Sequence, residues 1–210
     1  MKLQLALDRM TRDECLSLIQ ETYEFVDIVE MGTGVIKEYG MAIIREVHSQ
    51  FPGKTLLADM KTCDAGKHEA KQAFEAGAEI VTAMAFSADR TIEEMLEVAQ
   101  EYQGIILIDL LGIHDVVRVK ELYALGVRHF CLHKGKDMQS TNHLAKAEDF
   151  ELVQGLAECT IYIAGGITQE TVHHFKDTPI DILIVGSGIT GAKIPAQAAQ
   201  HLKQEMQNIN

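Results

Sequence analysis

The chain has 210 residues, 47% of them hydrophobic, and a formal net charge of −12, which is enough for one core burying roughly 70% of the unfolded surface. So acidic a surface argues against nonspecific nucleic-acid binding and against attraction to anionic membranes, while leaving room for a local cationic pocket that takes a phosphate. No apolar run approaches the roughly 20 residues that span a bilayer, and Cys15, Cys63, Cys131 and Cys159 are scattered without a C-x-x-C pair, so reduced thiols in a cytoplasmic protein are expected.

The opening residues, too short and too soon acidic for a signal peptide, read as a first strand at 3–7. Further apolar runs follow at 26–29, 55–58, 80–85, 105–111, 129–132, 161–164 and 182–185, with starts about 20 to 30 residues apart. Between them lie charged segments with helical spacing, among them 65–77, 91–99 and 194–206, the last with Pro195 in its first turn. Continuous apolar strands alternating with amphipathic helices imply a parallel sheet covered by helices. Eight such units in one chain predict an α/β fold, a (β/α)8 TIM barrel at its lower size limit. A doubly wound sheet would call for G-x-G-x-x-G after the first strand, where Asp8-Arg9-Met10-Thr11 stands instead. With three prolines and no linker or low-complexity tract, residues 1–210 read as a single domain.

Chemistry gathers at the strand ends. Strand one ends in Asp8, and strand two in Glu30 followed by Gly32-Thr33-Gly34. Strand three gives Asp59, Lys61, Cys63 and Asp64, and strand five Asp109. Strand six ends in His133-Lys134-Gly135-Lys136-Asp137, strand seven in Gly165-Gly166 and strand eight in Gly186-Ser187-Gly188. In a barrel these termini converge on the face where active sites are built. Asp59 and Lys61 lie two apart on a strand and project the same way; three ionised groups so close need mutual pairing or a metal. The plainer alternatives are an ordinary ion pair for Asp59 and Lys61, and a helix N-cap for Asp64.

Glu30 and Asp59 together could ligate a hard divalent cation, since Mg²⁺ is commonly held by one or two carboxylates. His133 is a candidate proton carrier, or else a structural hydrogen-bond partner. Gly165, Gly166, Gly186 and Ser187 follow the last two strands, where barrels commonly hold a phosphate on backbone N–H groups; ordinary strand-to-helix turns are the alternative.

Leu5-Ala6-Leu7-Asp8, the stretch 26–33, the D-x-K-x-x-D of Asp59, Lys61 and Asp64, His133, and Ala164-Gly165-Gly166 carry a family resemblance that runs end to end. The chain resembles the hexulose-6-phosphate synthase and 3-keto-gulonate-6-phosphate decarboxylase group of the orotidine-monophosphate decarboxylase suprafamily. The resemblance implies a (β/α)8 barrel and a homodimer with shared active sites. It implies Mg²⁺ (or Mn²⁺) on Glu30 and Asp59, with Asp8 and Lys61 in the polar network around the substrate. It implies that Asp64 is lent to the neighbouring subunit and that His133 handles protons. Two activities share this machinery: condensation of formaldehyde with ribulose 5-phosphate, and decarboxylation of 3-keto-L-gulonate 6-phosphate, both through a metal-stabilised enediolate. Lys61-Thr62-Cys63-Asp64 looks like the synthase pattern K-T-M-D, Gly135 is the synthase's glycine, and the loop after strand eight lacks the decarboxylase's phosphate-contacting arginine. Lys136 is a cation where the decarboxylase carries one. A noncatalytic phosphosugar-binding protein on the same barrel is a third reading.

Overall fold

Periodicity two along each strand sends one set of side chains to the helices and the other into the barrel, and both sets are apolar over most of their length. In the computed structural model, which describes residues 1–137 and 147–208, eight parallel strands pair in chain order and close into a barrel. They are β1 (Lys2–Leu7), β2 (Ile28–Met31), β3 (Thr55–Thr62), β4 (Ile80–Met84), β5 (Ile105–Asp109), β6 (His129–His133), β7 (Thr160–Ala164) and β8 (Ile182–Val185), with Leu3 of β1 in register with Leu183 of β8. All eight expected strands are present.

The helices are α1 (Arg12–Thr22), α2 (Thr33–Tyr39), α3 (Met41–Gln50), α4 (Gly66–Glu75), α5 (Asp89–Tyr102), α6 (Val116–Ala124), α7 (Ser187–Thr190) and α8 (Pro195–Asn208). Their distribution departs from one per strand. Two follow β2 and two follow β8, whereas the described residues after β6 and β7 hold 3₁₀ turns at Ala147–Val153 and Val172–Phe175. After β7 the Thr171 hydroxyl accepts from the N–H of Thr168 at 2.8 Å, a local bond of the kind that competes with helix formation. Where helices do form, local chemistry starts them: Thr11 and Glu14 make a reciprocal capping box at α1, and Asp115 accepts from Val117 N–H at α6. No helix of the described residues is long and apolar enough to cross a membrane, and all four cysteines are free.

Two apolar zones result. Leu3, Leu5, Val29, Leu56, Ile108 and Phe130 point outward and pack beneath the helices. Ile28, Leu57, Ile80, Leu107, Cys131 and Tyr162 point inward and plug the barrel. Two residues further along their strands, the inward positions become Glu30, Asp59, Thr82, Asp109 and His133. The plug therefore ends in a polar layer at the carboxyl ends of the strands, and that layer is the base of a cavity.

Candidate active site

The cavity has a volume of about 460 Å³. Asp8, Glu30, Asp59, Lys61, His133, Gly165, Gly166, Gly186 and Ser187 all line it, so nine of the expected site residues converge on one space. Asp64 does not line it and is exposed. Nor does Asp64 cap the following helix: α4 begins at Gly66 with Ala65 in a left-handed conformation at the cap and no side-chain cap bond.

Lys61 reaches Asp59 for a reason that strand alternation did not supply. Ala58 is in register with Val81, and Thr62 with Ala83, so four residues of β3 stand against two of β4. Lys61 sits inside this bulge at φ 48°, a conformation costly for a side chain of its size and typical of functional sites. The bulge is held on both sides. The Thr82 hydroxyl accepts from Lys61 N–H at 2.9 Å and donates to Asp59 Oδ1 at 2.8 Å. Ser87 Oγ donates to the Thr62 carbonyl at 3.2 Å, and Arg118 holds the Ser87 loop by donating to the Ala85 and Ser87 carbonyls.

From this bulge the Lys61 ammonium stands 3.1 Å from Asp59 Oδ2 and 2.8 Å from Asp109 Oδ2. Burial alone would lower its pKa, but the charges of Asp59 and Asp109 outweigh burial and raise it. Lys61 is thus a fixed cation and is not poised as an amine nucleophile. Asp109 in turn lies 2.8 Å from His133 Nδ1 through Oδ2 and takes the N–H of Leu111 at 2.9 Å on Oδ1. A carboxylate can only accept, so Nδ1 carries the hydrogen and Nε2 is left basic.

Burial works to raise the Asp109 pKa, yet the hydrogen bond and charge of His133, with those of Lys61, bring it down from 3.8 to about 2. A folded value below the ordinary one means that the pairing stabilises the fold fully above pH 3.8 and that this contribution is lost as pH falls toward about 2. The stability gap between the wild type and Asp109→Asn, read from urea midpoints, is expected to narrow as pH falls from 3.8 toward about 2. A gap that stays constant or widens on acidification would contradict the assigned pairing.

At the other end of the row, Glu30 is pushed up to about 8, first by burial and then by the neighbouring charge of Asp59, against the opposing hydrogen bond from Gln4. Asp59 also accepts from the Thr33 hydroxyl at 2.8 Å. Among the described residues no three His, Cys, Asp or Glu side chains gather as a metal cage; Glu30 and Asp59 form a pair. Asp8 accepts Gly34 N–H at 2.9 Å, and a Cβ on Gly34 would come within 2.6 Å of that same oxygen.

The glycine loops close the opposite wall. Gly165 has φ 118° and a Cβ there would lie 2.6 Å from the Lys134 carbonyl, so only glycine fits. At Gly186 a Cβ would meet nothing nearer than 3.6 Å, so its being glycine is not forced by space. Gly186 and Ser187 open α7 against the cavity.

Asp109, Thr33, Thr82 and Gln4 join the expected residues in this polar layer, and Arg9, Lys136, Asp137 and Thr190 also line the cavity. Asp109 was visible as a strand end, and Gln4 and Thr82 as polar interruptions of apolar strands. Their partners on other strands were not.

A family model described as "Orotidine 5'-phosphate decarboxylase / HUMPS family" matches residues 1–202. A Bacillus subtilis relative named 3-hexulose-6-phosphate synthase is 37% identical over 205 residues, covering 97% of this chain and 98% of the relative. The solved 3-hexulose-6-phosphate synthase of Salmonella typhimurium superimposes with a TM-score of 0.96 at 31% identity, over 100% of both chains. The 3-keto-L-gulonate-6-phosphate decarboxylase of Vibrio cholerae superimposes at 0.89 with 26% identity, over 100% of this chain and 98% of that one.

Proposed function

Because the chain belongs to the orotidine 5'-phosphate decarboxylase / HUMPS family, we propose that it condenses formaldehyde with D-ribulose 5-phosphate to give D-arabino-3-hexulose 6-phosphate. It is an enzyme of the carbon–carbon lyase class, as its relatives named 3-hexulose-6-phosphate synthase are. The observation that carries the reading is the row Asp59–Lys61–Asp109–His133, which sets a fixed cation beside an oriented base on one cavity wall.

Glu30 and Asp59 would hold Mg²⁺, or Mn²⁺ in its place. The fit is supported by hard oxygen donors in a pair, crowded enough that Asp59's charge helps raise Glu30, and two carboxylates are the usual protein share of a Mg²⁺ site. When bound, the cation supplies a Lewis acid that polarises the sugar's C2 carbonyl. His133 Nε2 takes the C1 proton, and the electron pair of the C–H bond becomes the enediolate. The Lys61 ammonium stabilises the charge that develops on oxygen. C1 then attacks the formaldehyde carbon. The new hydroxymethyl oxygen takes back a proton from the His133 imidazolium, which restores the base. Asp8 orients the sugar hydroxyls, and the backbone N–H groups around Gly165, Gly166, Gly186 and Ser187 hold the phosphate. The position of Asp64, exposed and off its own chain's cavity, supports a homodimer in which it serves the partner's site. The enzyme works in the cytoplasm.

Lys136 lines the cavity, and this favours decarboxylation of 3-keto-L-gulonate 6-phosphate as the second reading. Incubation with Mg²⁺, ribulose 5-phosphate and formaldehyde is expected to consume formaldehyde, and EDTA to abolish the loss. Dominant CO₂ release from 3-keto-L-gulonate 6-phosphate would reverse the order of the two readings. Formaldehyde loss that survives EDTA would overturn the metal.

A further inference from the structure

The inward-facing layer beneath the polar rim is apolar at Leu57, Leu107 and Ile184, and Gln4 of β1 interrupts it. Gln4 is fully buried at the floor of the cavity. Its Nε2 donates to Glu30 Oε2 at 2.6 Å. Its Oε1 is buried with no hydrogen-bond partner among the described residues. An unsatisfied buried acceptor is a net cost to the fold, and a leucine or methionine would fill the layer without leaving one. Something must make the carboxamide worth keeping.

We propose that Gln4 is the positioning residue for divalent-cation binding. This rests on the reading of Glu30 and Asp59 as metal ligands. Glu30 has rotatable bonds on a cavity wall, and either of its oxygens could face the cation. The short bond from Gln4 ties down Oε2 and fixes the plane of the carboxylate, so Oε1 of Glu30 is presented to the cation. Partners of this kind around a ligand carboxylate typically set affinity by 10–100-fold.

The test is Mn²⁺ binding to the whole protein, followed by the loss of the free-ion signal in electron paramagnetic resonance, with substrates absent. The wild type is compared with Gln4→Met and Glu30→Gln, and thermal melting without metal confirms that each variant is folded. The expected result is that Gln4→Met stays folded without metal while its Mn²⁺ dissociation constant rises about 10–100-fold. If Gln4→Met does not fold, Gln4→Leu is the second variant. A folded variant that binds Mn²⁺ within twofold of the wild type would overturn the role of Gln4 and leave the metal reading intact, provided Glu30→Gln weakens binding. If the wild type and Glu30→Gln bind Mn²⁺ equally or not at all, the metal reading falls and the role of Gln4 falls with it.

Discussion

Replacing Lys61 with methionine is expected to lower kcat for formaldehyde condensation by about 10³-fold, the upper range for loss of one preorganised charge at a developing oxyanion. The ammonium is held by Asp59 and Asp109 before any substrate arrives, so its full electrostatic effect is available in the transition state without reorganisation. The same substitution leaves two buried carboxylates, 7% and 3% exposed, without their shared counterion, and stability should drop by about 3 kcal/mol. Activity assayed well below the melting temperature separates the two effects. A folded Lys61→Met enzyme with kcat within tenfold of the wild type would remove Lys61 from the chemistry and leave it a structural ion.

Replacing His133 with glutamine is expected to slow exchange of the C1 proton of ribulose 5-phosphate with solvent by about 10²–10⁴-fold, the usual worth of a positioned general base. Glutamine keeps an N–H donor that can serve Asp109 but has no basic nitrogen, so the row should survive while proton transfer is lost. Exchange read by NMR in D₂O, without formaldehyde, isolates this step from carbon–carbon bond formation. Loss of less than tenfold would place the base elsewhere in the cavity, with Asp8 the next candidate. A protein that only bound the sugar phosphate would show no exchange even before substitution.

The order and number of the strands, and the face on which chemistry collects, could be read from the chain. Apolar runs at regular spacing predict a parallel sheet, and a chain that changes from apolar to ionisable at each strand end announces a polar rim. Glu30, Asp59, His133 and the two glycine loops were legible because each stands at such a boundary. Which of these groups touch was not legible. Asp109 was visible only as one more strand end, yet it stands at the junction where Lys61 and His133 meet. Its partners lie 48 and 24 residues away in sequence, and only closure of the barrel makes them neighbours. The proximity of Lys61 to Asp59 was foreseen for a regular strand but is produced by a bulge with a left-handed residue, held by Thr82 from the next strand.

The chain by itself determined the architecture and the inventory of reactive groups, because hydrophobic periodicity and strand-end composition are local properties. The tertiary structure decided the pairings: the cation fixed between Asp59 and Asp109, the tautomer of His133, the raised pKa of Glu30, the lone carboxamide beneath it, and the placing of Asp64 away from its own chain's cavity. Charges interact as the inverse of distance in a medium of low dielectric. Those distances are set by strand register, tilt and closure, which no local window of sequence contains.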